Sequence, residues 1–364
     1  MKICHVTNVH PWNDKRVFRK ECASLSKAGF DVYLVAPGSN RFENGVMVIG
    51  LGKEPRGRLK RMTTYARKAY RAALKVNAEV YHFHDPEMLP YAYKMKKQGY
   101  KVIFDSHENT LEYLSEKEYI PNALRIPLAQ LFRNYAKRVL SKVDVIITVT
   151  PAIVEQMRPL NPHVVMVTNF PPLRELPRDV SHVSGRLCYT GSIVKTWCIK
   201  NIIDAIADIE GIEFYLCGAY DQSYVDSLKS SPGWSKCHFL GMISNEESIK
   251  LQQSSSLGMA MLGYTVFGFF KKGTLGNTKI YEYMMNGLPV ICSDLDVWRE
   301  MIDKYHCGLY VNPNDINAIK KAVLDIYCNP ERLSEMGKNA RRAVETEYNW
   351  STQERILVDL YKSL

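Results

Sequence analysis

KICHVTNVHPWNDKRVFRKECASLSKAGFDVYLVAPG, residues 2–38, sets the architecture of the chain. Lys2–Val9 is an apolar run of strand length, and Pro11-Trp12-Asn13-Asp14 is a polar turn. Val17, Phe18, Cys22, Leu25 and Ala28 then recur at helical spacing until Gly29 stops the helix. Asp31–Ala36 is the next strand, closed by Pro37-Gly38. Val80–Phe83, Lys101–Asp105 and Val143–Val149 continue the alternation, each short, β-branched or aromatic, and separated by helical stretches. Strands alternating with helices argue for a parallel sheet with helices on both faces.

The Pro-rich stretch from Asn169-Phe170-Pro171-Pro172-Leu173 to Pro177 lacks periodicity and reads as a linker. Beyond it the pattern restarts: Arg186–Thr190, Glu213–Cys217 and Cys237–Leu240 are strands ending at Gly191, Gly218 and Gly241. Leu257–Met261 and Pro289–Cys292 follow, and Gly308–Val311 is a short edge strand. Ile356, Leu357, Leu360 and Tyr361 make residues 350–364 an amphipathic closing helix. The expected organisation is two doubly wound α/β domains, 1–170 and 171–349, with the 350–364 helix packing back toward the first.

Composition agrees with this scale. The chain has 364 residues, 46% hydrophobic and 24% charged, enough apolar content for full cores. Runs such as Val145-Ile146-Ile147 are far shorter than the roughly 18 residues of a membrane span, and the N-terminus lacks the pattern of a signal peptide. Nine scattered cysteines without a Cys-x-x-Cys pair disfavour structural zinc and a disulfide framework, so reduced thiols in a cytoplasmic protein are expected.

The net charge of +10 is uneven. Residues 1–170 hold 27 basic and 15 acidic side chains, while 171–364 hold 21 and 23. Lys53, Arg56, Arg58, Lys60, Arg61, Arg67, Lys68, Arg71 and Lys75 lie in one stretch with a single acid, Glu54. Such a run is either a solvated helix face or a surface facing something anionic: a phospholipid leaflet, a phosphate-bearing acceptor or nucleic acid.

In open parallel sheets, ligands bind beyond the carboxyl ends of the strands. This selects Asn8–Arg16, His84-Asp85-Pro86-Glu87 and Ser106-His107-Glu108-Asn109 in the first half. In the second half it selects Gly191-Ser192, Gly218-Ala219-Tyr220 and the segment before Lys279. Asn277 or Thr278 can cap a helix carrying Lys279 and ending at Gly287. Its first-turn N–H groups and dipole attract phosphate, Lys279 adds charge, and Glu282 can accept two hydroxyl hydrogen bonds from a ribose. A plain amphipathic helix with surface Lys and Glu is the competing reading.

The Lys279-x-x-Glu282-Tyr283-Met284-x-x-Gly287-x-Pro289-Val290 arrangement closely resembles the nucleotide-diphosphate site of GT-B glycosyltransferases of family 4. His5-Val6-Thr7-x-x-His10-Pro11-x-x-Asp14-x-Arg16 and His82-x-His84-Asp85-Pro86-Glu87 resemble one bacterial branch of it, associated with surface polysaccharide or O-antigen synthesis. The Gly308 to Pro313 tail and Trp350-Ser351 also fit. The resemblance implies two Rossmann-like domains facing across a cleft, the nucleotide sugar held mainly by the second and the acceptor by the first. It makes Glu282 the ribose carboxylate, and Lys279 with the N–H groups of Gly276, Asn277 and Thr278 part of the diphosphate cradle. It makes His107 the histidine at the reacting centre, and places Gly218 and the Gly241-Met242-Ile243 turn near the base.

Three positions depart from the family pattern. Thr274 stands where a Glu is usual, and Ser192 and Trp197 stand where an Arg and a Lys stabilise the departing diphosphate. Removing such cations costs about 10²–10³ in rate per group unless others replace them. Lys195 and Lys200 are the expected replacements, with Lys271, Lys272 and Lys279 on the opposing loop. Asp14 either orients an acceptor hydroxyl or caps the helix beginning near Lys15, and Arg16 and His84 join it as acceptor contacts.

The resulting expectation is a retaining, metal-independent hexosyltransferase with no cofactor, using a UDP-sugar in preference to a GDP-sugar. Its acceptor would be a polyprenyl-diphosphate-linked glycan, with Arg56, Arg58, Lys60 and Arg61 against the anionic inner leaflet. A nucleotide-sugar-binding partner subunit without turnover, a 2-epimerase of the same fold and a nucleic-acid-binding module are the alternatives.

Overall fold

The computed structural model describes residues 1–107, 109–114, 120–176, 182–265 and 270–364. Glu108 of the third selected loop and Pro177 at the end of the linker lie outside the described residues. The chain forms two compact units, one of Met1–Asn169 with Gln353–Leu364, the other of Phe170–Thr352.

The first unit is built on an eight-stranded sheet. Its strands are β1 Lys2–Val6, β2 Asp31–Ala36, β3 Arg41–Glu43, β4 Val46–Gly50, β5 Val80–Phe83, β6 Lys101–Ser106, β7 Val145–Thr148 and β8 Val164–Met166. Their spatial order is β3-β4-β2-β1-β5-β6-β7-β8, parallel throughout except for β3 against β4. Every residue of β5 and β7 is buried, which explains why both strands are dominated by β-branched and aromatic side chains.

The hairpin β3–β4 has a local cause. Asn44 and Gly45 take φ of 52° and 74°, the two left-handed positions of a tight turn that matches strand twist. Strand β1 stops at Val6, short of the expected Val9, because Thr7 and Asn8 turn to the Asp85 carboxylate. The Thr7 hydroxyl donates to it at 2.7 Å and the Asn8 N–H at 2.8 Å. The helix after it begins with a π-helical turn, Val17–Cys22, before Ala23–Lys27 continues as α-helix.

The second unit carries a six-stranded parallel sheet in the order β11-β10-β9-β12-β13-β14. These are β9 Arg186–Thr190, β10 Glu213–Cys217, β11 Cys237–Phe239, β12 Leu257–Ala260, β13 Val290–Ser293 and β14 Gly308–Val311. The order reverses between β9 and β12, the switch point at which doubly wound sheets open a ligand crevice. Helix Thr278–Met285 delivers Ile280, Tyr281, Tyr283, Met284 and Met285 to the core, and the Tyr283 hydroxyl accepts the Thr190 N–H at 2.9 Å.

Helix Trp350–Ser363 ends within the first unit. Leu357 and Tyr361 are buried, and the Tyr361 hydroxyl meets His82 Nδ1 at 2.8 Å. Gln353 Oε1 accepts the Thr168 N–H at 2.8 Å, fixing the start of this segment. Ile356, expected on the apolar face, is exposed. Among the described residues no helix is long and apolar enough to cross a membrane.

Candidate functional site

In the second unit the carboxyl ends of β9, β10 and β11 present three glycines. Gly191, Gly218 and Gly241 have φ of 151°, 132° and 64°. The Gly191 N–H donates to the Cys217 carbonyl at 2.9 Å and the Gly218 N–H to the Gly241 carbonyl at 2.8 Å. A Cβ on Gly218 would lie 2.1 Å from the Gly191 carbonyl oxygen, so no other residue fits. The glycines let the strand ends pack backbone against backbone. Met242, beside Gly241, is 75% exposed.

Helix Thr278–Met285 starts at the same place. Asn277 occupies its N-cap position without a side-chain cap bond, so the helix entrance is not closed by Asn277's own amide. Gly276 donates its N–H to the Thr274 hydroxyl at 3.0 Å, and the Thr274 carbonyl accepts the Trp298 indole N–H at 3.2 Å. The threonine that replaces an expected carboxylate thus holds the turn. Glu282, half-buried, lies one turn into the helix.

Lys279 is buried. Its Nζ donates to the Tyr189 hydroxyl at 2.7 Å and stands 2.9 Å from the centroid of the Trp197 ring. The Tyr189 hydroxyl in turn donates to the Ser192 carbonyl at 2.7 Å. Burial pushes the Lys279 pKa well below its usual value, and Glu282 only partly opposes this. Ser192 and Lys195 are exposed. Lys200, expected as a replacement cation, is held instead by Asp204 at 2.5 Å, one helical turn away. Lys271 lies 3.4 Å from Asp294. The sequence does contain one Asp-x-Asp triplet, Asp294-Leu295-Asp296. Asp294 accepts from the Tyr264 hydroxyl, and Asp296 opens the helix Asp296–Tyr305.

In the first unit Asp14 caps the Val17 helix. Its Oδ1 accepts the N–H groups of Arg16 and Val17, both at 2.8 Å, and its Oδ2 faces His10 Nδ1 at 3.5 Å. Burial raises the Asp14 pKa, but these bonds outweigh it and hold the carboxyl well below the usual range. The capping reading of Asp14 is the one the contacts support.

Arg16 points into the domain and away from any acceptor. The guanidinium lies 2.9 Å from Asp105 and 2.9 Å from Glu21, both fully buried, and donates to the Val167 carbonyl at 2.9 Å. Asp105 also meets His107 Nε2 at 3.0 Å, His84 Nδ1 at 3.7 Å and His82 Nε2 at 3.9 Å. His84 joins His107 at 3.1 Å and His5 at 2.9 Å. Arg16 is thus the countercharge of a buried network whose outer end is His107. Burial lowers the His84 pKa to about 4, and burial likewise holds His5 and His82 well below the ordinary histidine value.

Two groups here bring ligand-type atoms within 4.8 Å of one another: His5, Glu21, His82 and His84, and His84, Asp105 and His107. The His5 and His84 rings stack at 17° and the His82 and His84 rings at 26°, and His5, His84, His107 and Asp105 already bond one another. Arg16 already supplies the positive charge that the two carboxylates require. The cluster reads as a hydrogen-bonded network, and neither group is assigned a metal.

A cavity of about 250 Å³ opens at the outer end of the network, lined by His10, Arg61, His84, Asp85, Glu87 and His107 among others. Arg61, expected on a membrane-facing surface, turns inward. It grips Glu87 at 2.7 Å and Glu54 at 3.1 Å, whereas Arg56, Arg58 and Lys60 are exposed. Tyr113 donates to the same Glu87 at 3.1 Å. Glu21 and Asp105, the two buried acids of the network, were not singled out from sequence. The one local signal is for Asp105, which ends the apolar run Val102-Ile103-Phe104; Glu21, between Lys20 and Cys22, has none.

Residues 15–170 match the family profile described as Glycosyltransferase Family 4, and residues 184–343 match Glycosyl transferases group 1. Sucrose-phosphate synthase from Thermosynechococcus elongatus superimposes with a TM-score of 0.75 at 16% identity, covering 100% of this chain and 98% of that one. Anabaena HepE, solved in complex with UDP and glucose, gives 0.73 at 14% identity with 100% of both chains covered. WaaG, a glycosyltransferase involved in lipopolysaccharide biosynthesis, gives 0.66 at 12% identity over 98% of each chain. None of the curated proteins matches this chain in sequence. The identities are low, so these superpositions speak for the fold, while the two profiles between them span most of the chain. The chain belongs to the GT-B glycosyltransferases, with a Family 4 N-terminal domain and a group 1 C-terminal domain.

Proposed function

We propose that this glycosyltransferase moves a hexose, with retention of configuration and without a metal ion, from a UDP-sugar to a hydroxyl of a lipid-linked glycan in bacterial surface-polysaccharide synthesis. One observation carries the donor site: Gly191, at the end of β9 and packed against Gly218, lies against the buried Lys279 in the first turn of helix Thr278–Met285. Backbone N–H groups at a helix start with an ammonium beside them suit a diphosphate, and Glu282 suits a ribose. HepE, of the same fold, was solved with UDP and glucose, which supports a uridine nucleotide here. In the retaining reaction the departing phosphate takes the acceptor proton on the face it leaves. His107, held by Asp105 at 3.0 Å, borders a polar cavity also lined by His10, Asp85 and Glu87, a lining that suits a hydroxyl-rich ligand.

A peripheral position on an anionic membrane is supported by surface chemistry. Helix Asn122–Leu140 exposes Leu124, Ile126, Leu128 and Leu131, Ile126 being 75% and Leu131 69% exposed. Residues 122–143 contain Arg125, Arg133, Lys137, Arg138 and Lys142 and no acid. Leu59, 77% exposed, lies among Arg56, Arg58 and Lys60. Apolar side chains ringed by cations are the pattern of helices that lie in a bilayer interface.

Thermal-shift screening against UDP-, GDP- and other nucleotide sugars tests the donor reading. A shift confined to the uridine series is expected, and a shift confined to guanosine nucleotides would replace that assignment. The departures at Ser192, Trp197 and Thr274 favour one second reading, a nucleotide-sugar-binding partner subunit without turnover. Donor binding without any acceptor-dependent release of UDP would support it.

A further inference from the structure

The donor site proposed above lacks cations at the two positions where the family resemblance calls for them. Ser192 is neutral and Trp197 is an indole. Yet an amine does stand there, brought from another element. Lys279 Nζ lies 2.9 Å from the centroid of the Trp197 ring and 2.7 Å from the Tyr189 hydroxyl, which is itself bonded to the Ser192 carbonyl. A Cβ built on Gly191 would be 3.0 Å from the same Nζ, so only glycine leaves room for the amine at the strand end. We infer that Lys279 is the leaving-group cation of this chain, and that Trp197 is the platform holding it where positions 192 and 197 would otherwise have supplied charge. This rests on the donor-site reading and goes beyond it by naming the group that stabilises the departing diphosphate.

Three observations select Lys279 over its neighbours. Lys200 is neutralised by Asp204, and Lys195 is exposed, where water screens its charge. Lys279 is buried among aromatic rings, where one unit of charge acts most strongly on a bound anion. The titratable groups facing it are Tyr189 on β9 and Glu282 on its own helix. Glu282 influences it through space, and the bond to its Nζ is made by the neutral Tyr189 hydroxyl. Desolvation without a bonded counter-ion disfavours the charged amine until an anion arrives.

The step then balances as follows. UDP-sugar binding brings the diphosphate to Lys279, whose burial disfavours charge, and the anion holds the amine as ammonium. The bond from the anomeric carbon to the β-phosphate oxygen breaks, and its electron pair stays on that oxygen. The acceptor oxygen bonds to the anomeric carbon and its proton passes to the departing phosphate. Lys279 keeps its own proton and donates a hydrogen bond to the phosphate oxygen that gains charge.

Titration calorimetry of the full chain with UDP at pH 8, repeated in buffers of different ionisation enthalpy, tests this. UDP is fully ionised there, so proton uptake reports on the protein. Wild type should take up a proton on binding. Lys279→Met, which keeps the volume, should abolish the uptake and weaken UDP by at least about 30-fold, as for truncating one partner of a buried charge pair. Adding Trp197→Lys to that variant should recover about tenfold or more, since a lysine then stands at the vacated position. UDP binding without proton uptake, or of undiminished affinity in a folded Lys279→Met, overturns the assignment while leaving the donor site intact. Failure of wild type to bind UDP removes the donor site and the assignment with it. If Lys279→Met does not fold, the wild-type proton count decides alone.

Discussion

Arg16→Met separates an internal role for Arg16 from an acceptor-binding one. The guanidinium lies 2.9 Å from each of two carboxylates, Asp105 and Glu21, whose side chains have no exposure, and 6% of its own is exposed. Removing one partner of a buried ion pair costs about 3–5 kcal/mol because the remaining charge is stranded. Burial already pushes the Glu21 pKa well up, so Glu21 can absorb a proton and relieve part of that cost. The lower end, about 3 kcal/mol, is therefore expected, or ~6–12 °C in the melting of a domain of this size. Without Arg16 both carboxyl pKa values rise, Glu21 further above its unfolded value and Asp105 back toward its own. Stability then holds below the unfolded value of Glu21 and is lost as pH rises through its folded one, so the variant should fall further behind wild type at pH 8 than at pH 5. Calorimetry reads the shift, and hydrogen exchange of strand β6 localises it. A variant that melts within about 1 °C of wild type but shows a raised KM for acceptor would refute the internal role and restore Arg16 to the acceptor surface.

Gly218→Ala places a Cβ 2.1 Å from the Gly191 carbonyl oxygen at φ of 132°, so it should cost at least about 2 kcal/mol and abolish the nucleotide-sugar thermal shift. His84 has its folded pKa lowered to about 4 by burial, so its contribution is full above its unfolded value near 6.5 and is lost as pH falls toward 4. That is at most about 3 kcal/mol, His5 and His82 act in the same direction and Glu21 opposes them, and His84→Gln should flatten the acid limb of a stability–pH curve. Ile126→Asp with Leu131→Asp should reduce sedimentation with phosphatidylglycerol vesicles about tenfold or more without changing binding of UDP, and unchanged sedimentation would exclude this helix as the contact.

The two sheets were readable because their central strands are buried on both faces and mostly apolar, with β5, β7, β12 and β13 buried at every residue. β2, β5, β9, β10 and β14 have the expected boundaries, and the turn glycines 191, 218 and 241 stand at strand ends. The hairpin β3–β4 was missed although Asn44-Gly45 is a strong turn signal, because β3 is three residues long with two of them exposed. The π-helical turn at Val17–Cys22 leaves no trace in a spacing argument built on 3.6 residues. Arg16 and Arg61 were placed on the surface for a shared reason, whereas the partner of Lys200, Asp204, is only four positions away. A charged side chain looks like a surface contact until its partner is known, and the partners Asp105 and Glu87 lie 89 and 26 positions away. Lys279 was placed correctly as a residue of the helix start, but its burial against Trp197 depends on a contact across 82 positions that no local pattern encodes.

Release of UDP from a UDP-sugar in the presence of a glycan acceptor, with wild type beside Glu282→Ala, tests the central claim most directly. Acceptor-dependent release by wild type, reduced at least about 100-fold in the folded variant, is the predicted result. Donor binding without release in wild type, or release that Glu282→Ala leaves intact, would contradict it.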